Sequence, residues 1–553
     1  MTLGDLRVLA RSLGFCWITA PLIHLSGNKI VAPVLFKDKA NGPYSLNNPN
    51  TFLSSKSLER RRKLNIALTE QDLPVTPAYL DQLKTTGATI LFPLKWINGA
   101  VIQQKPKDLA KTLKSPSVKG LYWNFPADSS SKLKITSNPE IAQQSAQQLN
   151  SSADIIDYGN SQTQISQIGI DLMHAKGFHG ENITISLLDN GFLNADIATF
   201  LHKIYEEKRL VGTLTTSPTL KSVYQGGSHG TEVLSVIAGQ YPGKLYGTAY
   251  QANIAIAQTE EEESELIVEE ANWLRAAEWA DSLGTDVISS SLGYSEFDNS
   301  KSNHTYADMN GKITLVSNAA RWAANRGIIC VISAGNEGSG AWKYITAPAD
   351  ADSILAVGAV DRTGLRASFS SQGPSFDKRI KPDVTAMGLG TIVGLPNGLI
   401  SSLNGTSFSA PLIAGLAAGL VQASANKNSF QIINAIRRSG NQADKPDVFL
   451  GYGVPNFDRA FTQLNPVLGI EEALEHHVNI FPNPIKTGEK LTIESDLNRT
   501  ILLEFCNSQG VVLLSYSLTN SREEINLPPL AAGKYFVRLH LGQTQKVIPL
   551  LFN

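Results

Sequence analysis

The sequence has few cysteines, no excess of either charge and no long apolar run, and each shortage excludes a class of protein. Its 553 residues include three cysteines, Cys16, Cys330 and Cys506, which lie far apart and without C-x-x-C spacing. This spacing excludes a zinc knuckle and a dense disulfide framework. The chain carries 48 basic and 49 acidic residues, a net charge of −1, and so lacks the basic excess of a nucleic-acid-binding protein.

Charge is also sparse overall. Charged residues make up 18% of the chain and apolar residues 42%, which excludes a disordered protein and predicts a sizeable core. No stretch reaches the roughly 20 consecutive apolar residues of a membrane span. Arg7 and Arg11 precede a short apolar run at 13–25, so we interpret residues 1–27 as a secretory signal peptide, with a helical core segment as the alternative.

Changes in composition predict four further regions. Residues 28–128 mix strand-like runs with a charged helical segment at 58–68, as in a compact α+β domain. Residues 129–160 are rich in Ser, Gln and Asn, as in a linker. Residues 161–465 alternate β-branched strands with Ala-rich helices, and residues 470–553 contain mainly short strands. We therefore expect an α/β domain with a doubly wound parallel sheet, followed by a small β-sandwich.

Polar residues near the predicted strand and helix ends supply candidate catalytic groups, because reactive side chains gather at one edge of a doubly wound sheet. Asp189 follows the apolar strand 183–188 and precedes an Asn-Gly turn. His229 stands at the first turn of a predicted helix, where the helix dipole favours the neutral imidazole that a general base requires. Taken singly, Asp189 also fits a turn aspartate, and His229 fits a solvated loop histidine.

Ser407 and Asn336 complete the candidate set. Ser407 opens an apolar helix, so backbone N–H groups point to the place where negative charge develops in acyl transfer. Asn336 follows a buried strand and lies between glycines, and its side-chain amide can donate to an oxyanion without carrying charge. The alternatives are an N-cap serine and a turn asparagine.

Together these segments resemble the three catalytic motifs of the subtilisin-like serine peptidases, the subtilases of peptidase family S8. The matching segments, in the family's order of Asp, His and Ser, are 189–191, 229–231 and 405–411. The resemblance implies that Asp189 orients the imidazole, that His229 acts as base and then as acid, and that Ser407 attacks the peptide carbonyl to form an acyl-enzyme. It also implies that Asn336 and the Ser407 amide hold the oxyanion, with no cofactor required for the chemistry.

Two more segments are similar to the walls of the family's main specificity pocket, where substrate adds as an extra strand. One wall comprises Ser291, Leu292 and Gly293, and the other comprises Ser333, Ala334 and Gly335. Three positions depart from the family pattern: Asn190, Phe408 and Met387 stand where Thr or Ser, Met and Pro are usual. None of these departures removes a reacting atom.

A run of glutamates precedes the first wall. Its members are Glu260, Glu261, Glu262, Glu263, Glu265, Glu269 and Glu270. So many carboxylates favour basic substrate residues or a structural Ca²⁺. The alternative is a solvated acidic loop.

The flanking regions resemble companions of this family. Residues 28–128 resemble the propeptide of secreted subtilases from Bacteroidota, which implies an intramolecular inhibitor. The tail resembles the C-terminal sorting domain of the type IX secretion system, which implies a secreted or cell-surface protein that engages this machinery; an ordinary β-sandwich ligand-binding module is the alternative. We therefore predict a secreted serine endopeptidase for protein or peptide substrates, made as a zymogen. The rival hypothesis is a catalytically idle subtilase scaffold that serves in surface adhesion or interaction.

Overall fold

The computed structural model divides the chain into two units, Met1–Leu464 and Asn465–Asn553, which are described separately. The described residues are 29–122, 156–217, 220–262, 264–465, 478–496, 500–541 and 544–553. The predicted signal peptide and most of the predicted linker lie outside them. The domain boundaries proposed from the sequence therefore stay predictions.

The first unit begins with an antiparallel sheet of order β2-β3-β1-β4, accompanied by three helices. Its elements are β1 (Ile30–Phe36), α1 (Ser55–Lys63), α2 (Pro77–Thr85), β2 (Thr89–Leu94), β3 (Gly99–Gln104), α3 (Leu109–Leu113) and β4 (Val118–Leu121). The α1 helix ends earlier than predicted, because the backbone turns at Asn65, which has a left-handed φ of 55°. This N-terminal domain has the α+β character that the sequence indicated.

A parallel sheet of order β13-β12-β11-β10-β5-β9-β6 forms the centre of the first unit. Its strands are β5 (Thr184–Asp189), β6 (Leu210–Thr215), β9 (Asn253–Gln258), β10 (Val287–Ser290), β11 (Ile329–Ser333), β12 (Leu355–Val360) and β13 (Val384–Met387). All six neighbouring pairs run parallel. Helices cover both faces, so most strands are apolar along their whole length rather than alternating.

Nine helices surround this sheet among the described residues. They are α4 (Gln162–Gln167), α5 (Ile170–Ala175), α6 (His202–Glu206), α7 (His229–Ala238), α8 (Glu269–Leu283), α9 (Leu315–Asn325), α10 (Thr406–Ala423), α11 (Ser429–Arg438) and α12 (Phe457–Leu464). Two hairpins, β7–β8 (Gln240–Tyr241 and Leu245–Tyr246) and β14–β15 (Leu389–Gly394 and Ile400–Asn404), complete the domain. Gly284 ends α8 with a left-handed φ of 91°.

The apolar helix α10 packs in the core on the same face of the sheet as α7. It is long and apolar enough to cross a membrane by length and composition, but 78% of its 18-residue stretch is buried inside the protein. The other face of the sheet is covered by α8 and α9. Thus α10 is a core helix that begins at the sheet edge carrying the candidate site.

The second unit consists of two antiparallel sheets around one apolar core, of orders β16-β17-β20 and β19-β18-β21-β22. Its strands are β16 (Val478–Phe481), β17 (Lys490–Ser495), β18 (Ile501–Cys506), β19 (Val512–Leu518), β20 (Arg522–Asn526), β21 (Gly533–Leu541) and β22 (Thr544–Phe552). Leu491, Leu503 and Val537 are fully buried between them. The predicted fold class, a doubly wound parallel sheet with these two flanking domains, is confirmed.

The N-terminal sheet packs on α8 and α9. Val31, Leu94 and Trp96 belong to the same buried cluster as Trp273 of α8. Glu278 of α8 accepts backbone N–H bonds from Lys95 at 2.9 Å and from Trp96 at 2.8 Å. The loop between β2 and β3 is therefore fixed to α8 by both apolar and hydrogen-bonding contacts.

A buried charge cluster lies in this interface. Arg60 Nη2 donates to Asp281 Oδ1 at 2.6 Å, and Arg61 Nη2 donates to Asp281 Oδ2 at 2.9 Å. Asp72 Oδ1 accepts from Arg61 Nη2 at 3.2 Å and from Arg326 Nε at 2.8 Å. None of the five side chains is more than 6% exposed. The charged helical segment that the sequence predicted thus contributes two buried arginines, Arg60 and Arg61, to this interface.

Asp281, at the centre of this cluster, stays ionised. Burial opposes its ionisation, but Lys95, Arg60 and Arg61 outweigh burial and lower its pKa to about 2. The ion pairs to Asp281 therefore persist across the neutral and mildly acidic range, and acidification alone does not dissolve this contact.

Replacing Arg61 with Met should lower the free energy of unfolding by about 3–5 kcal/mol, because it leaves the carboxylates of Asp72 and Asp281 buried with less compensation. The measurement is urea unfolding of the full-length chain in a Ser407→Ala background, which is expected to prevent self-cleavage because Ser407 is the predicted nucleophile. Arg62→Met is the matched control, because Arg62 is exposed, and it should change stability by less than about 0.5 kcal/mol. Equal losses in both variants would contradict the role assigned to the cluster.

Candidate active site

The predicted catalytic residues lie at strand and helix ends. Asp189 is the last residue of β5 and is 1% exposed. His229 is the first residue of α7, and its Nδ1 is hydrogen-bonded to Asp189 Oδ1 at 2.7 Å. Ser407 is the second residue of α10. The structure thus brings the Asp and His side chains into direct contact.

The surroundings of Asp189 are fixed mainly by backbone groups. Its Oδ1 also accepts the Asn190 N–H at 2.8 Å, and Thr259 N–H donates to its carbonyl at 2.9 Å. A Cβ on Gly230 would lie 2.4 Å from Gly191 O and 3.0 Å from Asp189 Cβ. Only glycine fits after His229 for this reason, and the close approach lets the imidazole reach the carboxylate. Within the described residues, Asp189 Oδ2 and Asn190 Oδ1 are buried without a partner.

Ser407 is linked to the first predicted wall and lies beside the predicted oxyanion donor. Its Oγ donates to Ser291 O at 3.5 Å, and Ser291 Oγ donates to Ser407 O at 2.8 Å. Asn336 Oδ1 accepts from Thr406 N at 2.9 Å and from Thr406 Oγ1 at 3.0 Å. These bonds fix the orientation of the amide, and its Nδ2 is left as a donor at the start of α10. Among the described groups, Ser407 Oγ bonds to Ser291 rather than to His229.

The imidazole of His229 is more basic than the sequence suggested. Burial opposes its protonation, but the carboxylates of Asp189 and Glu232 outweigh burial and raise its pKa above the ordinary 6.5. The helix dipole favours the neutral ring, as expected from the sequence, but the two carboxylates act on the ring in the opposite direction. Glu232 lies one turn along α7 and accepts from Ser228 Oγ at 3.3 Å. Glu232 follows His229 by three residues, and this helical spacing is the sequence signal for the contact.

Both predicted substrate walls follow central strands of the sheet. Ser290 pairs with Leu188 on one side and with Ile332 on the other. The residues that come next therefore stand side by side at one edge: Asp189, Ser291 and Ser333. The rest of each wall follows directly in the chain: Leu292 and Gly293 after β10, and Ala334 and Gly335 after β11. Thr346 lies between the walls, although no motif marks it in the sequence.

Three glutamates from the acidic run form a compact group after β9. Ligand oxygens of Glu260, Glu265 and Glu269 lie within 4.8 Å of one another. Tyr294 Oη donates to Glu260 Oε1 at 2.6 Å, and Leu266 N–H donates to Glu269 at 2.8 Å. Burial, and then repulsion between carboxylates, raises the pKa of all three, to about 7 for Glu265.

This arrangement differs from a solvated acidic loop. Glu260, Glu269 and Glu270 are buried, and Glu270 accepts hydrogen bonds from His304 Nε2 and from Val316 N. Carboxylate oxygens are the donors that Ca²⁺ prefers. The donor set of Glu260, Glu265 and Glu269 therefore suits a hard cation, whose positive charge would offset the burial and the mutual repulsion that raise the pKa of these carboxylates.

Family comparisons match three regions of the chain. Residues 180–453 match the subtilase family, residues 31–144 match the peptidase S8 propeptide domain of Bacteroidota, and residues 479–551 match the secretion system C-terminal sorting domain. The three matches fall in the same order as the predicted propeptide, peptidase domain and sorting domain.

Curated subtilisins align with the peptidase region. The chain is 31% identical to subtilisin of Bacillus pumilus over 259 residues, which is 46% of this chain and 82% of that protein. It is 28% identical to subtilisin E of Bacillus subtilis (strain 168) over 342 residues, which is 61% of this chain and 74% of that protein. The structure of the prenylagaramide maturation protease PagA aligns at 24% identity over 54% of this chain and 98% of that chain, with a TM-score of 0.43.

Glu232→Gln should move the acid limb of the kcat/KM profile for peptide hydrolysis to lower pH. The base role predicted for His229 requires the neutral imidazole, so activity is expected to fall as the pH drops through the pKa of His229, and removing one carboxylate lowers that pKa. The measurement is kcat/KM between pH 5 and 9. Glu206→Gln, on the exposed surface of α6, is the control and should leave the limb in place; an unmoved limb in Glu232→Gln would contradict the role of Glu232.

Proposed function

Because the chain belongs to the subtilase family and is a serine peptidase made as a secreted zymogen, we propose that it hydrolyses internal peptide bonds through Asp189, His229 and Ser407. The observation that carries the proposal is the 2.7 Å contact between His229 Nδ1 and Asp189 Oδ1, at the sheet edge where Ser407 opens α10. The C-terminal sorting domain makes the protein secreted or cell-surface.

In the proposed mechanism, Asp189 accepts the Nδ1–H of His229 and so leaves Nε2 as the basic nitrogen. Nε2 takes the proton of Ser407 Oγ while this oxygen bonds to the peptide carbonyl carbon. The tetrahedral intermediate then breaks its C–N bond, and His229 gives the proton to the departing amine. Water hydrolyses the acyl-enzyme by the same route, with His229 as base again. The carboxylate of Asp189 stabilises the imidazolium in both halves.

We assign the oxyanion to the side-chain amide of Asn336 and the backbone N–H of Ser407. The two bonds from Thr406 hold Asn336 Oδ1, so its Nδ2 needs no reorganisation to donate as charge develops. Such preformed donors stabilise the transition state more than the substrate. Subtilisins need no cofactor for this chemistry, and every group in the proposed route belongs to the chain.

Two further partners follow from the flanking domains. We propose that the N-terminal domain is the intramolecular inhibitor and that protein or peptide substrates replace it by adding a strand along Ser291, Leu292 and Gly293. The packing of the N-terminal sheet on α8 and α9 supports the first part of this assignment. The sorting domain is recognised by the type IX secretion machinery.

Fluorophosphonate labelling with intact-mass analysis tests the nucleophile and maturation together. We expect a labelled wild-type species that is shortened at its N-terminus, because activated Ser407 reacts with the reagent and the propeptide is removed. Ser407→Ala should remain unlabelled. Ser409→Ala is the matched control, because Ser409 is a buried serine of the same helix turn whose Oγ donates to Thr406 O at 3.0 Å, and it should label like the wild type.

Two results would overturn this function. Labelling of Ser407→Ala at the wild-type rate would remove Ser407 from the mechanism. A wild-type chain that stays unlabelled after limited proteolysis at residues 129–160 would instead support the idle scaffold, since the inhibitor would no longer protect the site.

We also propose that Glu260, Glu265 and Glu269 hold a structural Ca²⁺. Ca²⁺ should raise the melting temperature by about 3 °C or more, which corresponds to roughly 1 kcal/mol, and a chelator should reverse this. Glu260→Gln keeps a carbonyl acceptor for Tyr294 but removes a charge, so it should abolish the dependence. Glu262→Gln, at an exposed position of the same run, should retain it.

The pH dependence gives an independent check of the Ca²⁺ proposal. The pKa of Glu260 in the folded state is raised above its ordinary 4.5, so the folded protein keeps a proton that the unfolded chain releases. Without Ca²⁺, stability should therefore fall as the pH rises from about 4.5, and Glu260→Gln should reduce this fall. A melting temperature that changes neither with Ca²⁺ nor with the substitution would contradict the proposed Ca²⁺ site.

A further inference from the structure

Thr346 forms the floor between the two predicted substrate walls. Its backbone N–H donates to Ala334 O of one wall at 3.3 Å. The next residue, Ala347, exchanges two backbone hydrogen bonds, of 2.8 and 3.1 Å, with Tyr294, which directly follows the other wall. Backbone hydrogen bonds therefore link the segment around Thr346 to both walls, and they fix its position between them.

The side chain of Thr346 fills the space between the glycines that end the walls. A Cβ on Gly293 would lie 2.2 Å from Thr346 Oγ1, and a Cβ on Gly335 would lie 3.1 Å from Oγ1 and 3.3 Å from Cγ2. The side chain thus occupies the volume into which substituents from either wall would project. A residue with a larger side chain that enters between the walls meets Thr346 rather than open space.

The hydroxyl of Thr346 has no structural partner that accounts for it. Oγ1 is buried and makes no hydrogen bond within the described parts of the chain, and the residue as a whole is 4% exposed. A buried unpaired hydroxyl costs free energy. A serine hydroxyl brought in by substrate is small enough to approach Oγ1 and can pair with it, whereas an aromatic ring can do neither.

We propose that Thr346 closes the pocket for the substrate residue on the N-terminal side of the scissile bond, so that the enzyme cleaves after alanine and serine and not after leucine or phenylalanine. The inference rests on the proposed function, because it takes Gly293 and Gly335 as parts of that pocket. Its physical basis is steric: a close-packed interior does not yield the volume of a phenyl ring without strain.

The test compares kcat/KM for four peptides that differ only at this position, with Ala, Ser, Leu or Phe. For the matured wild-type protein, the Ala and Ser peptides should exceed the Phe peptide by about 100-fold or more, the scale of discrimination by pocket shape. Thr346→Gly opens the space and should raise the ratio of kcat/KM for the Phe peptide to that for the Ala peptide by about 100-fold.

Two more variants of Thr346 separate the effect of side-chain size from a loss of folding. Thr346→Ser retains the hydroxyl between the walls and should keep the preference for small residues. Thr346→Ala retains Cβ and serves if the Gly variant fails to fold, which its melting curve would reveal, and it should raise cleavage after Leu. Gly and Ala variants that both match the wild-type profile across all four peptides would overturn the inference, as would a wild-type protein that cleaves after Phe as well as after Ala.

The outcomes also separate this inference from the proposed function. One outcome is a wild-type protein that is labelled by fluorophosphonate at Ser407 and yet cleaves neither the Ala nor the Ser peptide. This result would overturn the pocket assignment but leave Ser407 as the nucleophile. A protein that neither labels nor cleaves any peptide would overturn the function, and the inference with it.

Discussion

The parallel register of three central strands is the constraint on which the candidate site depends. Ser290 pairs with Leu188 and with Ile332, so Asp189, Ser291 and the end of β11 come to one edge in a row. Residues from distant parts of the sequence are thereby aligned by backbone hydrogen bonds alone. Helices α7 and α10 begin at that edge, so their first turns bring the imidazole of His229 and the hydroxyl of Ser407 to it. The dense packing beneath the two helices keeps these first turns in position.

Much of this arrangement was predictable from the sequence, because it is encoded locally. The apolar strands, the glycine after α8 and the polar residues at strand ends each lie within a few residues of the pattern that marks them. Both ends of β5 fall within one residue of the strand expected at 183–188. Family membership and fold class were predictable for the same reason. The roles of the individual site residues are still proposals.

What the sequence did not reveal depends on contacts between remote segments. Arg61 meets Asp281, 220 positions away, and no periodicity in α1 distinguishes it from exposed Arg62. The position of Thr346 between the walls is visible only in the fold, which brings Gly293 and Gly335 from other segments against its side chain. The raised pKa of His229 also needs the folded structure, because the dipole of one helix is a local property whereas the net field at the ring includes the carboxylates of Asp189 in β5 and Glu232 in α7.

One buried charge cluster constrains how the two domains evolve. It comprises Arg60, Arg61, Asp72, Asp281 and Arg326. Its members come from both the N-terminal domain and the peptidase domain, and a change of charge in one leaves the others without compensation. The two domains must therefore vary as a matched pair across generations. A recombination event that exchanged either domain for a relative's would succeed only where the donor carried the same pattern of charges, so this interface limits which ancestors could have contributed the two parts.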